Sequence, residues 1–274
     1  MKKILALSLA LFAFASLAFA QVDLGKVKDG VYFAQGDKFG SSGWREQVVI
    51  TVQSGKIVDA VWNGVSNLPG ALDKLSWAAA GKYGMAKASK IKAEWDAQAK
   101  AVAAYLVKTQ EINFSKAGKD GKTDAISGAT MAVSEFFDLA QKALASAPVA
   151  KGQYKDGWYY AAQADFDKNS GWKDTVLVTV VNGSIVDVLW NGIYKDGTKK
   201  SKLVEAVTGK YGMAKAAKKG EWNVQAAAVE AAIVKAGDPA KIALKADGTS
   251  DAVSGASIHL TAVGLAIEAL KTAK

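Results

Sequence analysis

The chain has 274 residues, is half apolar and 22% charged, and carries 26 glycines against 3 prolines. That balance excludes a disordered or low-complexity chain and leaves room for two ordinary domains. With no cysteine and one histidine, His259, disulfides, thiolate-bound clusters, cysteine nucleophiles and multi-histidine metal sites are excluded. Basic residues exceed acidic ones by nine, yet Arg45 is the one arginine. Base readout and bidentate phosphate gripping favour arginine, so the lysine excess reads as solvated surface and no nucleic-acid partner is expected.

In chain order, Lys2 and Lys3 precede an apolar run from Ile4 to Leu17, and Ala18-Phe19-Ala20 offers a small-residue cleavage site before Gln21. This is the layout of a secretory signal peptide over residues 1–20. Its removal takes Lys2 and Lys3 away and leaves a net charge of +7. The cleavage site has no lipid-acceptor cysteine, and no later segment is long enough to span a bilayer. The expectation is a periplasmic or otherwise extracytoplasmic protein, not a lipoprotein, with peripheral membrane association at most.

The rest of the chain is written twice. Lys28-Asp29-Gly30-Val31-Tyr32 recurs as Lys155-Asp156-Gly157-Trp158-Tyr159, and Trp62-Asn63-Gly64 as Trp190-Asn191-Gly192. Gly81-Lys82-Tyr83-Gly84-Met85 recurs as Gly209-Lys210-Tyr211-Gly212-Met213, and Glu94-Trp95 with Gln98 as Glu221-Trp222 with Gln225. The offset is 127 or 128 throughout, too long for a solenoid repeat and right for two domains, 21–147 and 148–274. In each copy strands come first. Val48, Ile50 and Val52, and later Val176, Val178 and Val180, alternate as on a strand with one buried face. Ser54-Gly55 and Asn182-Gly183 read as hairpin turns, and Ile57–Trp62 and Ile185–Trp190 as the returning strands. Helices follow. Ala99, Val102 and Leu106 have helical spacing, as do Val133, Phe136, Phe137, Ala140 and Leu144, and in copy two Leu260, Val263, Ile267 and Leu270. Antiparallel hairpins packed with helices predict an α+β fold in both copies.

One string stands at the same place in both copies: Asp124-Ala125-Ile126-Ser127-Gly128-Ala129-Thr130 and Asp251-Ala252-Val253-Ser254-Gly255-Ala256-Ser257. It precedes an amphipathic helix, whose free N-terminal amides and positive dipole end suit a phosphate. Gly128, Ala129, Gly255 and Ala256 keep side-chain bulk away, and each string ends in a hydroxyl, Thr130 or Ser257. A helix cap needs one such polar residue, not the whole string. Asp124 and Asp251 can favour the helix dipole or orient the hydroxyl, and Ser127 and Ser254 can cap or bond phosphate.

The pattern Asp-x-x-Ser/Thr-Gly-Ala-Thr/Ser resembles the flavinylation motif of the FMN-binding domain, found in the RnfG and NqrC subunits of respiratory complexes and in PplA-like extracytoplasmic flavoproteins. The resemblance spans residues 26–146 and 153–273. It implies FMN held through its phosphate as a threonyl-FMN phosphoester on Thr130 and its seryl counterpart on Ser257, two per chain. It further implies attachment by an ApbE-type flavin transferase from FAD with magnesium. Ser257 departs from the threonine of the first copy. Implied partners are that transferase, a membrane electron donor and an extracytoplasmic acceptor or reductase. The expected role is that of an exported electron carrier and not a stand-alone enzyme. The alternatives are a flavin-dependent reductase acting on a small extracytoplasmic substrate, or a binding or surface protein of the same fold without flavin. Trp62 and Trp190 are the candidates for ring contact, from a strand end next to Asn-Gly. His259 reads as a surface or packing residue, or as a contact to the flavin phosphate, without a counterpart in the first copy, where Ala132 stands.

Overall fold

The computed structural model describes residues 21–274; the expected signal peptide, 1–20, lies outside the described residues. Strands β1 (Gly30–Gln35), β2 (Trp44–Gln53) and β3 (Lys56–Ser66) form an antiparallel sheet in that order, and β4 (Gly157–Ala162), β5 (Trp172–Val181) and β6 (Ser184–Tyr194) repeat it. The chain is therefore α+β, with two similar sheet units. Both hairpins turn on a pair of left-handed residues, Ser54-Gly55 at φ 52° and 70° and Asn182-Gly183 at φ 50° and 77°. Such turns match the twist of the flanking strands.

The returning strands run four residues further than alternation predicts, to Ser66 and Tyr194, so Trp-Asn-Gly lies inside a strand and not at its end. The reason is local. Asn63 Oδ1 accepts from the Gly64 N–H at 2.8 Å and from the Leu75 N–H at 2.9 Å, which pins the start of helix α1 (Lys74–Ala79) to β3. Asn191 does the same at 2.8 and 3.0 Å for α5 (Lys202–Val207). The glycine beside it lets a lysine cross the strand: a Cβ on Gly192 would lie 3.0 Å from Lys202 Cβ.

In unit one, after the one-turn helix α2 (Met85–Ala88), helix α3 (Trp95–Thr109) lies on β3 and α4 (Ser134–Leu144) on β1 and β2; α6 (Trp222–Ala236) and α7 (Thr261–Ala269) repeat this on β6 and on β4–β5. The expected core positions Phe136, Phe137, Ala140 and Leu144 are buried, and so are Leu260, Val263 and Leu270. Ile267 is not: it is 39% exposed, and Leu265 and Ala266 hold the buried face of α7 in its stead.

The second face of each sheet is buried too. Val65, Leu177 and Leu189 form an apolar cluster between the units, with Trp158 and Tyr160 packed on it. The layers run helix, sheet, sheet, helix. The join between the copies is pinned to both: Val149 N–H donates to Val31 O at 2.7 Å, and Gly152 N–H to Asn182 O at 2.8 Å. A Cβ on Gly152 would overlap the Gly183 backbone.

The outer edge of β6 is closed by a side chain. Glu230 on α6 accepts from the backbone N–H of Trp190 at 2.7 Å. Burial first, with some repulsion from Asp187, pushes its carboxyl up to about 8, against the Trp190 N–H and Arg45, which pull it down. A raised carboxyl favours the protonated folded state. The stability it contributes is complete below the ordinary glutamate value of about 4.3 and is lost as pH rises towards 8. The loss is at most about 5 kcal/mol. Thermal unfolding from pH 5 to 8 should therefore show a falling Tm that flattens in Glu230→Gln, whose amide oxygen still accepts the Trp190 N–H. Equal slopes for the two proteins would place the carboxyl near its ordinary value.

Candidate functional site

Both motif strings fold alike. Ile126 and Val253 plug the helix–sheet core at 3% and 4% exposure, and Ala129 is buried as well. Gly128 and Gly255 take φ of 88° and 93°, and a Cβ on either would meet a helix alanine, Ala101 or Ala228, at 3.2 Å. Glycine is thus required twice over, by its left-handed conformation and by the closeness of the helix. Ser127, Ser254, Asp124 and Asp251 are exposed. Asp251 pairs with Lys245 at 2.6 Å.

The motif hydroxyls do not stand on a helix N-terminus, which corrects the expectation from sequence. Three residues separate Thr130 from the first residue of α4, and three separate Ser257 from that of α7. That connection is spent on tying the loop down: Val133 N–H donates to Gly121 O at 2.7 Å, and Leu260 N–H to Gly248 O at 2.8 Å. What the hydroxyls meet is a glutamine. Gln98 Oε1 accepts from the Thr130 N–H at 2.8 Å and the Thr130 hydroxyl at 3.2 Å. Gln225 Oε1 accepts from the Ser257 N–H and hydroxyl at the same 2.8 and 3.2 Å. Both glutamines are wholly buried. Each is held from behind, Gln98 Nε2 donating to Ala93 O and Ser89 Oγ, and Gln225 Nε2 to Gly220 O. Buried amides with both ends satisfied are rigid, so each hydroxyl has a set direction for its proton.

Thr130 opens onto a cavity of 450 Å³ that also meets Ser89, Lys90, Lys122, Asp124 and Met85. Ser89 Oγ lies 3.4 Å from the Thr130 hydroxyl. Two lysines and three hydroxyl residues, Ser89, Thr123 and Thr130, around one opening suit a phosphate, and the volume lies in the range of cofactor pockets, about 300–1,000 Å³. The residues present therefore fit a phosphate-bearing group on Thr130. Thr130 is half-buried; Ser257 is exposed. Met85 is placed by Glu94, whose carboxylate accepts from the Met85 and Ala86 N–H groups at 3.0 and 3.2 Å. Glu221 does this for Met213 and Ala214, which accounts for the repeated Tyr-Gly-Met and Glu-Trp strings.

Trp62 and Trp190 are core residues, 4% and 1% exposed. Trp62 packs edge-on against Trp95 at 5.4 Å and Trp190 against Trp222 at 5.1 Å. Among the described residues, neither lines the cavity at Thr130. Strand β3 carries Trp62 inward to the helix layer because its neighbours in the register, Val48 and Ile50, face that way. His259 is exposed beside Gly248. Sequence reasoning paired Gln98 with Gln225 and gave them no role. The signal was there: a glutamine three residues after Trp95 and one before Ala99, on an otherwise apolar helix face, must find a buried partner. Lys90, Lys122 and Ser89 carried no such signal.

No family model matches the chain, and no curated protein matches it. Among solved structures, a solution NMR structure of a Clostridium thermocellum protein is similar at 46% identity, over 44% of this chain and 95% of that one, with a TM-score of 0.35. The crystal structure of a Clostridium perfringens protein is similar at 20% identity, over 44% of this chain and 88% of that one, with a TM-score of 0.33. Among the described residues no helix is long and apolar enough to cross a membrane, and no cluster of three or more acidic or histidine side chains could hold a metal.

Proposed function

We propose that the protein is an exported electron carrier that holds one covalent FMN on Thr130 and a second on Ser257. The observation that carries this reading is the glutamine clasp. Two hydroxyls, each closing the same seven-residue string, are gripped by a buried glutamine with the same pair of distances. A helix cap would not need a second element to hold the hydroxyl. In the transfer reaction the Thr130 oxygen forms a bond to the FMN phosphorus of FAD, the pyrophosphate bond breaks, AMP leaves, and the hydroxyl proton passes to a base of the transferase. The role of Gln98 in that step is to fix Thr130 through its N–H and hydroxyl, so that the oxygen is presented to the cavity. Lys90 and Lys122 offset the phosphate charge. When bound, the flavin takes up and releases electrons; the protein fixes its position and excludes loss to the medium. A tether by phosphoester suits a carrier outside the cytoplasm, between a membrane donor and an extracytoplasmic acceptor or reductase.

Intact mass of the mature protein, made alongside a flavin transferase, should show two FMN additions. Thr130→Val and Ser257→Ala should each remove one, and Gln98→Leu should lower occupancy at Thr130 while Ser257 stays filled. The bare polypeptide mass from a flavinylating host would overturn the reading and favour a binding protein without flavin.

A further inference from the structure

The two units differ at one groove, and the difference is informative. In each, the outer strand of the sheet lies beside the long helix, with a cleft between them. In unit two the cleft between β6 and α6 holds the Glu230 carboxyl, which accepts the Trp190 N–H. Trp62 pairs with Val48 as Trp190 pairs with Val176, so its N–H points to the same side. The residue of α3 that corresponds to Glu230 is Ala103, at the common offset of 127. Alanine offers no acceptor, and the space is open: a cavity of 560 Å³ runs along β3 and α3, bounded by Val58, Ala60, Leu75, Ala104 and Val107. Its walls are almost wholly apolar. The charged residues that line it are Lys100 and Lys108 on the helix and Asp59 on the strand, and Lys100 also pairs with Asp96 at 3.6 Å. The residue in unit two that corresponds to Lys100 is Ala227. Unit one thus lacks the built-in carboxyl and has one lysine more at the place where a carboxylate would need it.

We propose that the groove of unit one binds a small amphiphilic carboxylate, with its apolar body between β3 and α3 and its head group where Glu230 puts its own in unit two. The acceptor for the edge-strand N–H is supplied by the protein in one copy and by a ligand in the other. Lys100 and Lys108 offset the charge that burial would otherwise penalise, and the apolar walls take a linear or ring hydrocarbon of modest size. Neither a motif residue nor Gln98 lines this groove, so the site does not depend on whether Thr130 carries flavin.

Decanoate is the probe, titrated into the full mature protein and followed by calorimetry and by Trp62-region NMR shifts. One site is expected per chain. Ala103→Glu should weaken binding on the order of tenfold or more by supplying the acceptor internally. Glu230 shows that this fold tolerates a carboxyl there, and Ala103→Leu fills the same space without charge and should also abolish binding. Lys100→Ala should weaken it. Decanoate binding that survives both Ala103 variants, or no binding at about 1 mM, would overturn the proposal. So would a dimer of the chain that Ala103→Glu dissociates, since the occupant would then be a second copy.

Discussion

Replacing Lys74 by alanine is expected to destabilise the protein by about 3–5 kcal/mol, the usual result of stripping one partner from a buried ion pair. Lys74 is 4% exposed and bonds the carboxylate of Glu46, itself 6% exposed. Its ammonium lies 4.2 Å from the ring centre of Trp95, 5.3 Å from Tyr83 and 5.7 Å from Trp44. Burial pulls its pKa down, and Glu46 holds it up. Without the ammonium, Glu46 keeps a single hydrogen bond, from Trp62 Nε1 at 2.9 Å, and stays buried as an anion beside aromatic rings. The cation–π contacts are lost as well, at about 0.5–2 kcal/mol. The double variant Lys74→Met with Glu46→Gln removes both charges, keeps the volume and leaves an amide oxygen for Trp62. It should recover most of the loss. Urea unfolding separates the two cases by midpoint at constant m. A loss under about 1 kcal/mol in Lys74→Ala would mean that water reaches Glu46 freely.

The same cage stands in unit two, where Lys202 pairs with Asp174 at 2.8 Å and lies 4.6 Å from Trp222. Here a difference of one methylene shows. Asp174 occupies the place of Glu46 and reaches the lysine, but Trp190 Nε1 is left buried without a partner. The duplicated tryptophans were legible as repeats in the sequence; the cage that they form in each unit was not, because its lysine reads as surface charge when its strand partner is unknown.

The fold class, the hairpins and the long helices could be read from alternation and from turn residues, since each depends on neighbours in sequence. The burial of both sheet faces could not. Gln47 is wholly buried and Asp187 is 7% exposed, yet a polar residue at every second position is also the mark of a solvated face. Only the packing of unit on unit distinguishes the two, and that is a tertiary fact. The motif was legible as a string, and its glycine and core residues behave as local geometry requires. Its supposed helix amides gave way to Gln98 and Gln225, because a partner thirty-two residues upstream of the hydroxyl leaves no trace in local spacing.

That polar interface makes Asp187 the other residue whose loss should be felt most. Its Oδ2 accepts from Arg45 at 2.8 Å and Gln47 at 3.1 Å, and its Oδ1 from Gln35 at 3.1 Å. Gln47 in turn accepts from Trp158 Nε1 at 2.7 Å and from the Thr179 hydroxyl at 3.3 Å. Donors from unit one converge on one carboxylate of unit two, in a sheet-on-sheet layer otherwise filled by Val65, Leu177 and Leu189. In Asp187→Ala the chain's one arginine, whose Nε already lacks a partner, loses its counter-charge while still largely buried. The cost should again be about 3–5 kcal/mol. It falls on the contact between units and not on either core, because each core is closed by its own helices. Calorimetry should therefore show one transition in the parent protein and two in Asp187→Ala, with Asp187→Asn in between, since an amide keeps one acceptor for Arg45 but repels the other donors. Removing the Asp187 charge also removes part of the push on Glu230, so the fall in Tm towards pH 8 should become shallower in the same variant. One cooperative transition within about 2 °C of the parent would show that the apolar cluster alone holds the two sheets together.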